Sequence, residues 1–323
     1  MPITITGGIT LNGGGWTIVA PSAGGATKAI FGYGTAGPVS GGAQSITNLV
    51  SSTGVVATDT AGVGTARQYL AAATYGGDKA VFGYGTPGNG LPLITNYVSN
   101  TGVVANDTAV VGTARYELAA AGYGGDKGIF GYGANFDIGS LSMTNLVSNT
   151  GVVATDTAGV GTARFRLAAA GYGTDKAIFG YGHTPGPAAQ SITNLVSNTG
   201  VVATNTAGVG TARASLAAAG YGTDKAIFGY GFSTNNASKT NITNLVSNTG
   251  VVATDTVGVG TARFRLAAAG YGGDKAIFGY GTLDDYSTNV SLTNLVSNTG
   301  VVATDTAGVG TARFNLAAAS YGS

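Results

Sequence analysis

The amino-acid sequence predicts an all-β protein built from six copies of one antiparallel unit. Three observations predict it. The string Lys-Ala-Ile-Phe-Gly-Tyr-Gly, or a close variant, begins at Lys28, Lys79, Lys127, Lys176, Lys225 and Lys275, at intervals of 48 to 51 residues. The string Gly-Thr-Ala-Arg ends at Arg67, Arg115, Arg164, Arg213, Arg263 and Arg313. The apolar runs between these markers are 5 to 8 residues long and are bounded by Gly, Asn or Asp. That is strand length and too short for a helix. A fixed period of this size is the signature of a repeat architecture.

The elements follow in chain order. Residues 1–27 precede the first repeat and read as an arm or attachment segment, with Trp16 as its packing anchor. Residues 28–323 carry the repeats. From Arg164, one unit runs through a small apolar strand ending in Leu-Ala-Ala-Ala, then Thr-Asp before Lys176 and a second strand closing in Gly-Tyr-Gly. A variable loop comes next, then two strands joined at Asn198-Thr199-Gly200, where Gly takes the positive φ of a tight hairpin. The unit is therefore a four-strand meander.

Ala177, Ile178 and Phe179 in succession leave no polar face on the second strand. Such a sheet must be sandwiched between copies of itself, and radial repetition of four-stranded sheets is a β-propeller. The Ala triplet suits the innermost strand, where blades converge, and larger Leu, Val, Ile and Phe fill the widening wedge outside it. The last Arg-x-x-Leu-Ala-Ala-Ala strand, Arg313 to Ala319, has no partners of its own unit after it. It supplies the inner strand of the first blade and closes a ring of six. Trp16 to Ala20 is the rival for that place, and with it a seventh blade built partly from the arm.

Composition removes whole function classes. There is no Cys and one His, which excludes disulfide frameworks, thiolate zinc sites and multi-His metal centres. No metal or cofactor is expected. A net charge of +1 gives no electrostatic footprint for nucleic acid or an anionic membrane. The start of the chain lacks a signal peptide's basic region and apolar core, and no stretch approaches a membrane-spanning helix.

Most charges are repeat positions. Besides the six Lys and six Arg, Asp59, Asp107, Asp156, Asp255 and Asp305 occupy one recurrent slot, which Asn205 fills in the one remaining copy, the fourth in chain order. Five more Asp precede the repeat Lys and read as turn residues on a solvated rim. The Arg ring has two readings. In one, each Arg pairs with the Asp eight residues earlier or donates to loop carbonyls. In the other, six Arg form a collar at a channel mouth and hold an anion. Seven charges are unit-specific: Glu117, Asp137, Arg166, Lys239, Arg265, Asp284 and Asp285.

The loops after Gly-Tyr-Gly are where the units differ most, and binding is often placed on variable loops of a rigid scaffold. They share a face with the Gly-Val-Gly-Thr-Ala-Arg loops. The candidate recognition residues are Phe136, Asp137, His183, Phe232, Lys239, Asp284, Asp285 and Tyr286. His183, with no repeat equivalent, reads on its own as a surface loop residue.

The order Arg, apolar strand, Gly-Asp-Lys, apolar strand ending in Gly, variable loop and hairpin resembles the kelch repeat, over about nine-tenths of the chain. It departs from that pattern in carrying Gly-Tyr-Gly for the usual Gly-Gly and in lacking a fourth-strand Trp. The near-identical Gly- and Ala-rich units are also similar to kelch-like repeat proteins of tailed bacteriophages. That resemblance implies a non-enzymatic virion-surface component, a head or tail decoration or fibre-associated protein, contacting other virion or surface proteins through its arm. If it is not phage-encoded, an extracellular or cell-surface place is expected. The alternative is an adhesin binding a cell-surface glycan through the variable loops. An enzyme is disfavoured, because catalysis needs an asymmetric cluster and most charges here repeat.

Overall fold

The computed structural model describes residues 9–12, 15–18, 26–37, 42–186, 188–233, 238–284 and 288–323. Every regular element among them is a β-strand, and all pairings are antiparallel. The chain is an all-β protein of small sheets.

The fourth unit shows the plan. The inner strand Ala168–Tyr172 pairs with the middle strand Lys176–Gly180, in register from Ala168 opposite Gly180 to Tyr172 opposite Lys176. The middle strand pairs on its other edge with Thr193–Val196. The same three strands recur as Ala71–Tyr75, Lys79–Gly83 and Ile94–Val98, and as Ala119–Tyr123, Lys127–Gly131 and Thr144–Val147. They recur again as Ala217–Tyr221, Lys225–Gly229 and Thr243–Val246, and as Ala267–Tyr271, Lys275–Gly279 and Thr293–Val296.

The expected fourth strand is present in reduced form. Thr193 bridges Thr206 and Val196 bridges Val202, so two residues on one side oppose three on the other. That is a β-bulge. Asn194 causes it: its side-chain amide donates to Ala203 O at 3.0 Å and to Asn205 Oδ1 at 3.0 Å, taking the place of a backbone rung. Only the second unit extends the outer segment into a regular strand, Thr108–Ala109, among the described residues.

The first sheet is made from both ends of the repeat region. Ala317–Tyr321 pairs with Lys28–Gly32, from Ala317 opposite Gly32 to Tyr321 opposite Lys28, and Lys28–Gly32 pairs with Thr47–Val50. The rival segment goes elsewhere, since Gly15–Ile18 pairs with Ile9–Asn12. Each inner strand neighbours the inner strand of the next unit, and Ala317–Tyr321 neighbours both Ala267–Tyr271 and Ala71–Tyr75, so the order is cyclic.

The core sits between the sheets. Ala177, Ile178 and Phe179 are all fully buried. One apolar cluster joins Ala121, Ile129 and Tyr132 of the third unit to Leu167, Ala177 and Phe179 of the fourth. Equivalent clusters join every successive pair, including the sixth unit to the first. Gly closes each middle strand for a packing reason. A Cβ on Gly180 would stand 2.7 Å from the Phe228 ring of the next unit.

Candidate functional site

The repeat arginines are the first candidates. All six are fully buried, so the solvent-facing collar is not what the structure builds. Arg263 Nε donates to Tyr280 O at 2.8 Å, Nη1 to Thr261 O at 3.1 Å and Nη2 to Asn294 Oδ1 at 2.7 Å. Its guanidinium lies 4.4 Å from the centre of the Tyr230 ring. Tyr230 belongs to the preceding unit and Tyr280 to the next, so the Arg links two sheets. The six Tyr in this role hold φ between 62° and 65° with the ring beside one guanidinium, and the carbonyls of Tyr33, Tyr84, Tyr230 and Tyr280 accept from Nε of the Arg one unit earlier in the cyclic order. Burial pushes the hydroxyls of Tyr33, Tyr84, Tyr132, Tyr230 and Tyr280 up to about 12.

The pairing with an Asp eight residues earlier is corrected by the structure. Arg67 approaches Asp107 at 3.9 Å, Arg115 approaches Asp156 at 4.0 Å, Arg263 approaches Asp305 at 3.9 Å and Arg313 approaches Asp59 at 3.8 Å. Each partner is the Asp of the next unit. The same carboxylates accept from the preceding unit's Thr, as Asp59 does from Thr311 N–H and Oγ1. Burial raises the Asp59 carboxyl, but hydrogen bonds from Thr311 and Asn48 and the Arg313 charge outweigh it and hold it below the ordinary range. Asp107, Asp156, Asp255 and Asp305 are lowered in the same way. Lowered folded values mean stability that is complete above the unfolded carboxyl value and lost as pH falls through the folded one. We therefore expect a melting temperature that declines only in the acid range. A decline already at neutral pH would contradict this.

Asn205 occupies the same slot without the charge. It accepts from Thr162 N–H and donates to Thr162 Oγ1, and Arg164 has no carboxylate beside it among the described residues. Asn205→Asp restores the recurrent arrangement. It should stabilise the protein by about 1 kcal/mol, the net scale of one intramolecular hydrogen bond, read as a higher melting temperature. A lower one would refute the inter-unit account.

The variable loops lie at the end of the inner strands where each repeat Arg is found. The residue after each Arg bridges the start of the loop, as Phe165 does with His183 and Phe264 with Thr282. His183 is half-buried and stacks on Phe165 at 5.8 Å, so it is more than a free loop residue. Burial, then the Arg166 charge, lowers its pKa and keeps the ring neutral at pH 7. Phe136 is 56% exposed and packs on Tyr116 at 4.8 Å, while Phe232 packs on Phe264 at 5.4 Å. Asp137 N–H donates to Asn135 Oδ1 in a loop turn. Lys239 reaches Leu283 O in the next unit's loop, and Asp284 accepts from Thr288 within its own. Asp285 and Tyr286 lie outside the described residues, as does the side chain of Trp16.

Three of the singular charges, Glu117, Arg166 and Arg265, converge where the inner strands begin. They occupy equivalent positions with Tyr69, Ser215 and Asn315, and all six have φ between 53° and 57°. Their backbones form a closed cycle. Tyr69 N–H donates to Asn315 O, Glu117 to Tyr69, Arg166 to Glu117, Ser215 to Arg166, Arg265 to Ser215 and Asn315 to Arg265, at 2.7 to 3.0 Å. The side chains and the leucines that follow line a depression of about 80 Å³. Glu117 accepts from Arg166 Nε at 2.7 Å. Burial raises its carboxyl although Arg166 and Arg265 pull it down. Sequence reasoning singled out the three charges but missed that they meet. The available signal was the pair between Arg and Leu, which differs among units inside an otherwise uniform strand.

The opposite end varies less, its differences being Thr74 and Ser320 among Gly122, Gly171, Gly220 and Gly270, and Thr174 and Thr223 among Gly77, Gly125 and Gly273. A cavity of about 270 Å³ is lined by the ends of the inner strands, the following Tyr and four of the repeat lysines. Asp175 stands 2.6 Å from Lys176, and Asp78 2.9 Å from Lys79. Ala26 also lines this cavity, so the described residues just before the first repeat, Ala26 and Thr27, lie at this end. Among the described residues no three His, Cys, Asp or Glu side chains form a metal-ligand group. Among the described residues no helix is long and apolar enough to cross a membrane. No family model matches the chain, and no curated protein matches it.

Proposed function

We propose that the protein is a six-bladed β-propeller closed by its C-terminal strand, serving as a non-enzymatic recognition module on the surface of a virion. One observation carries the reading. The variable loops and the singular charges Glu117, Arg166 and Arg265 lie at one end of the inner strands, and Ala26, just before the first repeat, lies at the other. A repeat scaffold under only a packing constraint has no reason to sort its differences this way. The cyclic order of inner strands supports the blade arrangement, and the resemblance to phage repeat proteins supports the location. Exchanging the 183–190 and 282–290 loops for the loop of the second unit tests the reading. Binding to the parent particle's target should fall while the melting temperature holds. Unchanged binding would refute it, and absence of the chain from purified particles by mass spectrometry would refute the virion placement.

A glycan-binding adhesin is the second reading. The exposed Phe136 ring, backed by Tyr116, offers the kind of apolar platform on which a sugar face packs. Phe136→Ala should abolish binding on a glycan array if that reading holds, and an array with no hits on wild-type protein would remove it.

A further inference from the structure

We infer that the axial depression on the unit-specific end is a binding pocket for a carboxylate-bearing ligand group, gripped by Arg265 and Arg166. This rests on the reading of that end as the recognition face and names the chemistry at its centre.

Backbone conformation is the first argument. Positive φ costs a non-glycine residue roughly 1–3 kcal/mol, and this chain places Gly at 32 described positive-φ positions. At the six axial positions it uses none. The one other fully repeated departure from Gly is the Tyr beneath each buried Arg, kept there because its side chain has work to do. By the same reasoning Tyr69, Glu117, Arg166, Ser215, Arg265 and Asn315 stand at φ 53° to 57° for their side chains. Unlike the Tyr set, they are not the same residue throughout. A purely architectural role would call for one residue type in all six.

Chemistry is the second argument. Every one of the six side chains can hydrogen bond, over a floor of leucines only 5–6% exposed. An apolar floor lowers the local dielectric and strengthens charge interactions above it. The axial backbone amides are already bonded around the cycle, so recognition falls to the side chains. Two guanidinium groups face one carboxylate, which leaves a net positive charge, and Glu117 is engaged with Arg166 at 2.7 Å. Arg265 is 8% exposed and stands between the rings of Phe264 and Phe314, at 5.5 and 5.8 Å. A guanidinium packed against aromatic rings is a pre-organised, charged donor for a carboxylate. The volume, about 80 Å³, admits a carboxylate and its neighbouring hydroxyl rather than a whole sugar ring. The larger cavity at the other end is the weaker candidate, because each Lys lining it is matched with an adjacent Asp.

The experiment is calorimetric titration of the full chain with glucuronate, glucose and inorganic phosphate at constant ionic strength, alongside Arg265→Gln and Arg265→Lys. Glucuronate should bind and glucose should not. Arg265→Gln should weaken glucuronate by about tenfold or more, the equivalent of 1.4 kcal/mol, and Arg265→Lys should recover part of it. Polygalacturonate competing as well as the monosaccharide would place the carboxylate on a glycan, and failure to compete would place it on a free acid. Phosphate binding in preference to glucuronate overturns the proposal, as does equal affinity for glucuronate and glucose. If Arg265→Gln does not fold, the wild-type preference alone decides. Loss of target binding on loop exchange, with no glucuronate binding, would leave the recognition face standing and the axial pocket refuted.

Discussion

Deleting residues 314–323 will cost the protein its cooperative fold. The segment supplies the whole inner strand of the first sheet, paired along five residues with Lys28–Gly32. Phe314 and Leu316 are 1% and 6% exposed, and Ala317, Ala319 and Tyr321 pack in clusters that reach into the second unit. Losing Phe314 and Leu316 alone removes roughly 3–6 kcal/mol of apolar burial, against about 5–15 kcal/mol for a whole domain. The damage does not stop at one sheet. Asn315 both donates and accepts in the axial cycle, and Gly322 N–H donates to Asp78 O at the other end, so both inter-unit chains of hydrogen bonds break. The truncated chain should melt far below the full one or show no transition, and the synthetic peptide 314–323 added in trans should restore part of the transition. A truncated chain melting with the full-length protein would show that the strand closes nothing.

The strand order within a unit and the pairing of the last strand with the first repeat were legible because both depend on local pattern: short apolar runs, Gly- and Asn-marked turns, and a final strand without partners of its own. The Arg partners were not legible, and repetition is the reason. In a periodic chain each contact has two candidates, one within the unit and one in the next copy. The Asp eight residues before Arg67 and the Asp of the following unit look alike in sequence, and only packing selects Asp107. The bulged outer segment was hidden for another reason. Asn194 replaces a backbone rung with a side-chain amide, and nothing in strand propensity signals that exchange. The axial cycle was hidden because Glu117, Arg166 and Arg265 read as members of a strand. Their left-handed backbone, which turns them to the axis, depends on neighbours in other units.

Arg263→Met will be strongly destabilising, and Arg164→Met will be much milder. Both arginines are fully buried, and a buried charge is costly unless its hydrogen bonds are made. Arg263 makes three, and Met leaves Tyr280 O and Asn294 Oδ1 without that donor in a fully buried setting. Each such loss costs about 1–3 kcal/mol, so the expected destabilisation is about 3–5 kcal/mol, the range for breaking a buried charged network. Arg164 is differently placed. Its Nη2 donates to Asn194 Oδ1 at 2.7 Å, but its Nε and Nη1 lack hydrogen-bond partners among the described residues, and Asn205 stands where the others have Asp. Removing it relieves an incompletely satisfied charge while costing one bond, and the methionine keeps contact with the Tyr132 ring, which lies 4.9 Å from the guanidinium in the native chain. The two variants should therefore differ by about 2 kcal/mol or more in denaturant unfolding, with unchanged slope. Equal losses would mean that burial alone, and not the hydrogen bonds between successive units, sets the worth of these side chains.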